Sequence, residues 1–321
     1  MNKRKMRFVA KRFPPGLGLL LAVVLAPRVV WACACGCGVF DVGTGLELPQ
    51  GQGGMVFVDY DYQDQNHNWS GTSSAPNANN TDKEIRTHFV TVGLQYMFDR
   101  SWGVQVEVPY DERYFKTTGG ASGSDLVALN WAALGDIRVE GIYTGFSPDM
   151  STGINFGFKL PTGDYTHNDA FGDIDRDTEL GTGSTDILLG GFHRGNLPGN
   201  NSFTWFAQAL LDLPVATRND YRPGLEVDAA AGIYYRGWFV HSVKITPVAQ
   251  IIGSERTSDE GANASHPVAS GYQRIMLSPG IEFDMHPVSF YADVEVPVFQ
   301  DFRGNQVAAP WLVKASVSYH F

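Results

Sequence analysis

Cysteine is scarce in this 321-residue chain, and its three cysteines lie within five residues of one another. They are Cys33, Cys35 and Cys37, so no disulfide framework can hold the rest of the chain together. Long apolar runs are also missing. After the N-terminal segment, no stretch approaches the eighteen or so apolar residues of a membrane-spanning helix. The sequence therefore excludes a disulfide-rich secreted domain and an α-helical membrane protein.

Residues 1–32 have the pattern of a secretory signal peptide. A basic region that includes Arg4 and Arg12 precedes an apolar region at 17–26. The residues up to Ala32 then form a suitable cleavage site. This segment holds seven basic residues and no acidic one, so its removal takes the net charge from −10 to −17. We do not expect so acidic a chain to bind nucleic acid.

The C-terminal residues show the clearest two-residue alternation. Trp311, Tyr319 and Phe321 fall on an apolar face, whereas Lys314 and Ser318 fall on the opposite face. Such alternation predicts a β-strand. Aromatic residues at both ends of its apolar face are typical of a membrane barrel with two interfacial girdles. The final Phe321 resembles the terminal aromatic of bacterial outer-membrane barrels, which implies assembly by the barrel-assembly machinery.

Twelve alternating stretches of about the length that crosses a bilayer follow the N-terminal segment. Their connections alternate between long and short, which is typical of outer-membrane barrels and predicts that both termini are periplasmic. We predict a membrane-spanning antiparallel up-and-down β-barrel over 53–321, preceded by a Cys-rich segment over 33–52. The predicted strands are 54–63, 85–98, 101–113, 134–145, 151–162, 184–194, 202–214, 224–236, 238–252, 272–284, 286–298 and 310–321, with short turns at 99–100, 146–150, 195–201, Gly237 and Met285.

Charged residues that alternate with apolar ones are predicted to line the lumen. A triplet of charged residue, apolar residue and proline recurs four times, at Pro109, Pro161, Pro214 and Pro297. We interpret each triplet as the outer end of a strand, which places its charged residue at one level of the lumen. The alternative is a solvated group below a strand end. The surplus of acids favours cations. The predicted pore-lining residues are Glu107, Lys159, Asp212, Glu295, Glu226, Asp228, Asp293, Arg138, Glu140, Lys244 and Lys314.

The Cys-rich segment has three interpretations. The thiols of Cys33, Cys35 and Cys37 are spaced to converge on one soft ion, Cu(I) or Zn. A disulfide among them, or a structural plug in the periplasmic mouth, is the second interpretation. The third is attachment of a lipid at Cys33.

An acidic stretch in a long connection is a second candidate metal site. Its alternating carboxylates suit Ca²⁺, although Thr178 stands where a calcium loop has glycine and Arg176 competes for the carboxylates. The alternative is a solvated acidic loop. The candidate calcium ligands are Asp173, Asp175, Asp177 and Glu179.

The sequence contains no catalytic motif that we identify. His241 and Ser242 would point to opposite faces of a strand, so they could not act together. We therefore do not expect an enzyme.

Three glycine-containing segments carry a family resemblance. They are 135–143, 157–164 and 181–189, and they resemble the outer-membrane barrels of the MetA-pathway-of-phenol-degradation family, often called transporters. The resemblance spans about 50–321 and implies a channel for aromatic or other small solutes. Its motifs mark turns and strand ends, and the Cys-rich segment is not a feature of the family at large.

We therefore expect a monomeric barrel in the outer membrane of a Gram-negative bacterium, surrounded by lipid and lipopolysaccharide, that admits a small aromatic or cationic solute by diffusion. Two alternatives stay open. One is a metal-handling or electron-transfer accessory that binds copper or zinc at the three cysteines. The other is a closed barrel that acts as an adhesin.

Overall fold

The computed structural model describes residues 48–49, 51–77, 80–119, 125–169, 172–236 and 238–321, without the side chains of 169, 172 and 173. The predicted signal peptide and all three cysteines lie outside these residues. The described residues include 3-10 turns at Arg176–Thr178 and Pro267–Ala269. The strands are β1 Gly53–Gln65, β2 His67–Gly71, β3 Ser73–Ser74, β4 Asp82–Met97, β5 Trp102–Gly119, β6 Asp125–Leu134, β7 Arg138–Tyr143, β8 Thr152–Lys159, β9 Asn168–Asp169, β10 Gly172–Asp173, β11 Thr185–Leu197, β12 Asn200–Ala216, β13 Glu226–Tyr235, β14 Trp238–Val240, β15 Val243–Arg256, β16 Tyr272–Met285, β17 Val288–Ala308 and β18 Leu312–His320.

Within the described residues, twelve antiparallel wall strands close into a barrel. The last strand, β18, pairs with β1, beginning with Met55 opposite His320. Beyond this pair, the amide of Phe321 donates to the carbonyl of Gly54 and the amide of Gly54 donates back, each over 2.8 Å. The prediction of a twelve-stranded barrel is confirmed.

Two of the wall strands consist of two segments each. β6 and β7 both pair with β5 and together form the fourth wall strand. β13 and β14 both pair with β15 and form the eighth. The remaining short strands are not part of the wall: β2 pairs with β17 and β3, and β9 pairs with β10. No helix in the described part of the chain is long and apolar enough to cross a membrane.

The two ends of the barrel differ in their connections. Five short connections, at 98–101, 144–151, 198–199, 241–242 and 286–287, join strands at what we call the short-turn end. The opposite end, which we call the long-loop end, holds connections of up to 25 residues, such as 160–184 between β8 and β11.

Two predicted long connections, 114–133 and 299–309, are instead largely strand. β5 continues to Gly119, and β17 continues to Ala308. Side chains on a hairpin that extends past the hydrocarbon layer need not be apolar on their outer face. The alternation therefore fades although the pairing continues, and the sequence pattern underestimates these strands.

Alternate side chains separate onto two faces, as predicted. In β1, Val56 and Val58 are about 40% exposed, whereas Asp59 and Asp61 are at most 7% exposed on the opposite, inner face. Exposed aromatic residues cluster at both ends of the outer face. At the short-turn end the rings of Trp102 and Tyr143 lie 4.7 Å apart and those of Tyr96 and Phe321 6.3 Å apart, and at the long-loop end those of Tyr62 and Trp311 lie 5.7 Å apart.

Gly237, where the sequence predicts a turn, lies outside the described residues. The hairpin between β14 and β15 turns at His241 and Ser242, where His241 has a φ of 54°. Glycine suggested the turn because it adopts a positive φ without steric cost, but a polar residue can also adopt it at modest cost. His241 and Ser242 are therefore turn residues, not members of a strand.

Three of the four triplet prolines lie within a strand, although Pro214 is only two residues from the end of β12. Pro109 lies within β5, at the point where the partner changes from β7 to β6. Pro297 lies within β17, opposite the register shift between Ile275 and Met276. A proline lacks an amide hydrogen, so it is tolerated at irregular positions as well as at ends.

Neighbouring residues on β4 test the two faces directly. Val92 is 48% exposed on the outer face, and Thr91 lies on the inner face. We expect Val92→Arg to lower the free energy of unfolding in lipid vesicles by about 2 to 4 kcal/mol, because it places a charge in hydrocarbon. Thr91→Arg should cost much less. Equal losses in urea unfolding would contradict this orientation of the wall.

Candidate functional site

The connection 160–184, which we call the inner loop, folds against the inner wall at the long-loop end. Ile174 and Leu180 of the inner loop are buried in one cluster with Phe115 and Trp131 of the wall. Ile174 and Leu180, near the two ends of the acidic stretch, are the apolar residues that hold it to the wall. Asp177 and Glu179 between them are at most 8% exposed, so this stretch is not fully solvated.

Arg113 of β5 fixes the inner loop from the wall side. Its Nη1 donates to the carbonyl oxygens of Thr178 and Glu179, at 2.6 and 2.9 Å, and its Nε donates to the hydroxyl of Thr87 at 3.0 Å. Arg113 is only 3% exposed. These hydrogen bonds of Arg113 orient the backbone of the inner loop.

Arg176 stabilises the outer side of the inner loop. Its guanidinium lies 5.0 Å from the ring centre of Tyr165 and 4.7 Å from that of Tyr221, and its Nη2 donates to the carbonyl of Thr182 at 2.9 Å. Such cation–π contacts contribute about 0.5 to 2 kcal/mol each, more as they are desolvated. Arg176 thus holds the inner loop to its neighbours.

One carboxylate fastens both ends of the inner loop. Asp136 accepts the amide of Gly163 at 2.9 Å through Oδ1, and through Oδ2 the amide and hydroxyl of Thr182 at 2.8 and 2.7 Å. A Cβ on Gly163 would lie 2.7 Å from Cα of Gly181 and 2.9 Å from the carbonyl carbon of Gly135. The three segments that resemble the transporter family therefore meet at this point.

A series of cavities lies inside the barrel. A cavity of about 440 Å³ opens at the short-turn end, one of about 60 Å³ lies next to it, and one of about 200 Å³ lies under the inner loop. Leu48 lines the first two, and Glu107 and Arg138 line the second and third. We call the third the central chamber. A further cavity of about 390 Å³ lies on the other side of the inner loop, against Ile174 and Arg176.

The segment before β1 lies in the short-turn mouth. Arg194 donates to the carbonyl oxygens of Leu48 and Pro49, at 3.4 and 2.7 Å. The side chain of Leu48 packs against a cluster that includes Met97 and Phe192. The chain therefore leaves the Cys-rich segment next to this mouth, and the interpretations of Cys33, Cys35 and Cys37 stay predictions.

Three of the four triplet charges come together. Glu107, Lys159 and Asp212 line the central chamber. The ammonium of Lys159 lies 2.8 Å from Asp212 and 2.5 Å from Asp186, and Arg138 lies 3.7 Å from Asp212. The wall thus holds a compact cluster of ion pairs. The alternation of residues along each strand predicts which side chains face the lumen, but it does not predict which of them form ion pairs.

The fourth triplet charge lies elsewhere. Glu295 is 1% exposed, stands opposite Leu312 of β18, and does not line the central chamber. The cavity thus brings together three of the four charges, and the common level predicted for all four stays a prediction.

The other predicted lumen residues are also buried or half-buried, with polar partners. Asp293 accepts the hydroxyl of Tyr291 at 2.7 Å, and Lys314 lies 3.4 Å from Asp59. Glu226 lines the central chamber, Glu140 the small cavity and Lys244 the short-turn mouth, whereas Asp228 is 2% exposed.

Two of the candidate calcium ligands, Asp177 and Glu179, have different neighbours. Asp177 is buried near Asp259, and burial is the main cause that raises the pKa of Asp177 to about 8, with Arg256 opposing. Glu179 accepts the amide of His167 at 2.9 Å. Within the part of the chain described, no three His, Cys, Asp or Glu side chains are placed to hold a metal ion. Calcium at Asp173, Asp175, Asp177 and Glu179 stays a prediction.

Burial also raises the pKa of Glu179 to about 8. Asp164 adds to this increase, whereas the amide of His167 and the charges of Arg176 and Arg113 oppose it. Both Asp177 and Glu179 are therefore mainly neutral at neutral pH, which suits their place under the loop.

Comparisons with known proteins place the fold. No protein-family model matches the chain, and no curated protein matches it. An outer membrane channel from Pseudomonas putida F1 has a TM-score of 0.64 at 9% identity, over 88% of this chain and all of that one. The β domain of the Bordetella autotransporter Brka has a TM-score of 0.51 at 12% identity, over 84% and 100%. The chain therefore has the fold of an outer-membrane β-barrel.

The inner loop should loosen as pH rises. In a released loop Asp177 and Glu179 would ionise near their ordinary pKa values of 3.8 and 4.5, against about 8 when buried. The stability of the buried loop is thus complete below about pH 4 and is lost progressively up to about pH 8. We expect trypsin to cleave after Arg176 faster at pH 9 than at pH 6. In the double variant Asp177→Asn, Glu179→Gln, the rate of tryptic cleavage should change much less between pH 6 and pH 9 than it does in the wild type.

The base of the inner loop offers a second test. In Gly181→Ala the new Cβ would lie 2.5 Å from the carbonyl carbon of Gly163, so the loop base must separate at a cost of about 1 to 3 kcal/mol. We expect faster cleavage after Arg176. Gly119→Ala is the matched control, because no atom lies within 4 Å of that Cβ. Identical behaviour of the two variants would refute the fastening role.

Proposed function

We propose that this protein is an outer-membrane channel through which small solutes diffuse, with both termini in the periplasm and with cations favoured over anions. The observation that carries the proposal is the series of cavities along the inside of a closed barrel. It leads from the mouth next to Leu48 to the central chamber under the inner loop.

The size of the barrel supports a narrow path. Twelve strands lie between the small barrels that are filled by side chains and the sixteen-stranded porins with open aqueous channels. The central chamber, at about 200 Å³, suits a small solute. The inner loop separates this chamber from the outer cavity next to Tyr165 and Arg176. Passage therefore depends on movement of this loop.

The charge of the central chamber supports preference for cations. Carboxylates outnumber basic groups in its lining, and lumenal carboxylates raise the local concentration of cations. The acids are Asp61, Glu107, Asp111, Asp136, Asp212 and Glu226, and the bases are Arg138, Lys159 and Arg256.

A likeness to a known channel agrees with this proposal. The solved structure with a TM-score of 0.64 is an outer membrane channel of Pseudomonas putida F1. The resemblance of 135–143, 157–164 and 181–189 to the transporter family points the same way. Membership of that family stays a prediction, as does the choice between aromatic and other small solutes.

Single-channel recording in planar bilayers tests the proposal. We expect discrete conductance steps and, in a KCl gradient, a reversal potential of the sign that K⁺ permeation gives. Glu107→Gln with Asp212→Asn should move that potential towards Cl⁻, because Lys159 and Arg138 then lose their compensating charges. Glu112→Gln, on the exposed outer face, is the control. A folded barrel without conductance, even as Gly181→Ala, would overturn the proposal.

A further inference from the structure

The central chamber is lined by a buried carboxylate with an oxygen that accepts no hydrogen bond. Asp111 lines the chamber and is 5% exposed, and its Oδ1 accepts no hydrogen bond from the described residues. A buried carboxylate oxygen that lacks a donor keeps an uncompensated desolvation cost. Such a cost is typical of a position that a ligand completes.

The neighbouring acids differ from Asp111 because their charges are compensated within the protein. Asp136 accepts three hydrogen bonds from the inner loop. Asp212 is paired with Lys159 and Arg138. These two acids thus have hydrogen-bond or ion-pair partners within the protein, whereas Oδ1 of Asp111 accepts no hydrogen bond from the described residues.

The basic groups near Asp111 donate hydrogen bonds to other acceptors. Arg113, on the same strand and face, attracts Asp111 electrostatically but donates to the backbone of the inner loop and to Thr87. Arg256 of the chamber lies 2.7 Å from Asp259. An N–H donor from outside the protein would therefore displace no hydrogen bond at Oδ1 of Asp111.

An aromatic ring stands next to this carboxylate. Phe89 of β4 lies directly opposite Asp111 of β5 in the sheet register, and opposite Asp61 of β1 on its other side. All three side chains line the central chamber. Directly opposed residues in an antiparallel pair have Cβ atoms about 5 Å apart. A row of carboxylate, phenyl ring and carboxylate therefore runs across three neighbouring strands.

This row fits an organic ammonium better than a bare metal ion. The phenyl ring can contact the apolar body or, through cation–π attraction, the charge of such a ligand, while Asp111 accepts its N–H donors. A metal ion instead needs ligands that converge on one point. Asp61 and Asp111 stand on opposite sides of Phe89, separated by a strand.

We propose that Asp111 and Phe89 form a binding site for small organic ammonium ions in the central chamber. The site rests on the proposed channel function and names the class of solute that this channel selects. Asp111 forms the ion pair, and Phe89 packs against the carbon skeleton. Leu180 of the inner loop lines the same chamber, so a bound ligand is covered from the long-loop end.

Isothermal titration calorimetry on the purified full-length barrel in detergent tests the site without a transport assay. The probes are benzylammonium chloride, the neutral isostere benzyl alcohol, and KCl. We expect saturable binding of benzylammonium at pH 7, with binding of benzyl alcohol at least tenfold weaker. Binding should persist in 100 mM KCl.

Asp111→Asn should weaken benzylammonium binding about tenfold or more, and Phe89→Leu should weaken it several-fold. Glu112→Gln removes one carboxylate from the outer face of the same strand and should leave binding unchanged. Retention of the folded barrel by each variant is checked by circular dichroism and by its mobility in unheated electrophoresis.

The outcomes separate the two proposals. Equal binding by wild type and Asp111→Asn, or equal binding of the alcohol and the ammonium, would overturn the site even if the barrel conducts ions. Binding that depends on Asp111 in a barrel without conductance would support the site and overturn the channel.

Discussion

The pairing of β18 with β1 is the interaction on which the rest of the structure depends. In hydrocarbon, a strand edge leaves amides and carbonyls without partners at a cost of several kcal/mol each, so a sheet is admissible there only when it closes. The reciprocal hydrogen bonds of Gly54 and Phe321 complete this closure at the last residue. Closure also creates the interior, because it places one face of every strand out of contact with lipid.

The interior is stabilised by compensation between its own charges. Lys159 is shared between Asp186 and Asp212, Lys314 lies beside Asp59, and Arg113 is saturated by loop carbonyls. A buried charge is tolerated when it is paired and hydrogen-bonded, and each of these groups meets that condition. Oδ1 of Asp111 departs from this pattern, because it is buried and accepts no hydrogen bond from the described residues.

The strands were predictable from sequence because apolar and polar side chains alternate with a period of two residues. This period is imposed locally, by hydrocarbon on one side of the strand and water on the other. What could not be predicted depends on pairing between distant residues. The turn at His241 and the pleat irregularities at Pro109 and Pro297 are set by partner strands, not by the residues themselves. The meeting of Gly135, Gly163 and Gly181 is likewise invisible in spacing, although the presence of glycine in each resembling segment was the available signal.

Because Asp136 holds both Gly163 and Thr182, the residues between them form an insert that leaves and rejoins the wall at one point. Positions of this insert that do not contact the wall can vary in length and sequence without disturbing the register of any wall strand. Diversification of such a barrel would thus be concentrated in one replaceable insert, while the scaffold that carries it stays constant. Altered permeability could therefore be sought by replacing this insert while the hydrogen bonds that Asp136 accepts are kept unchanged.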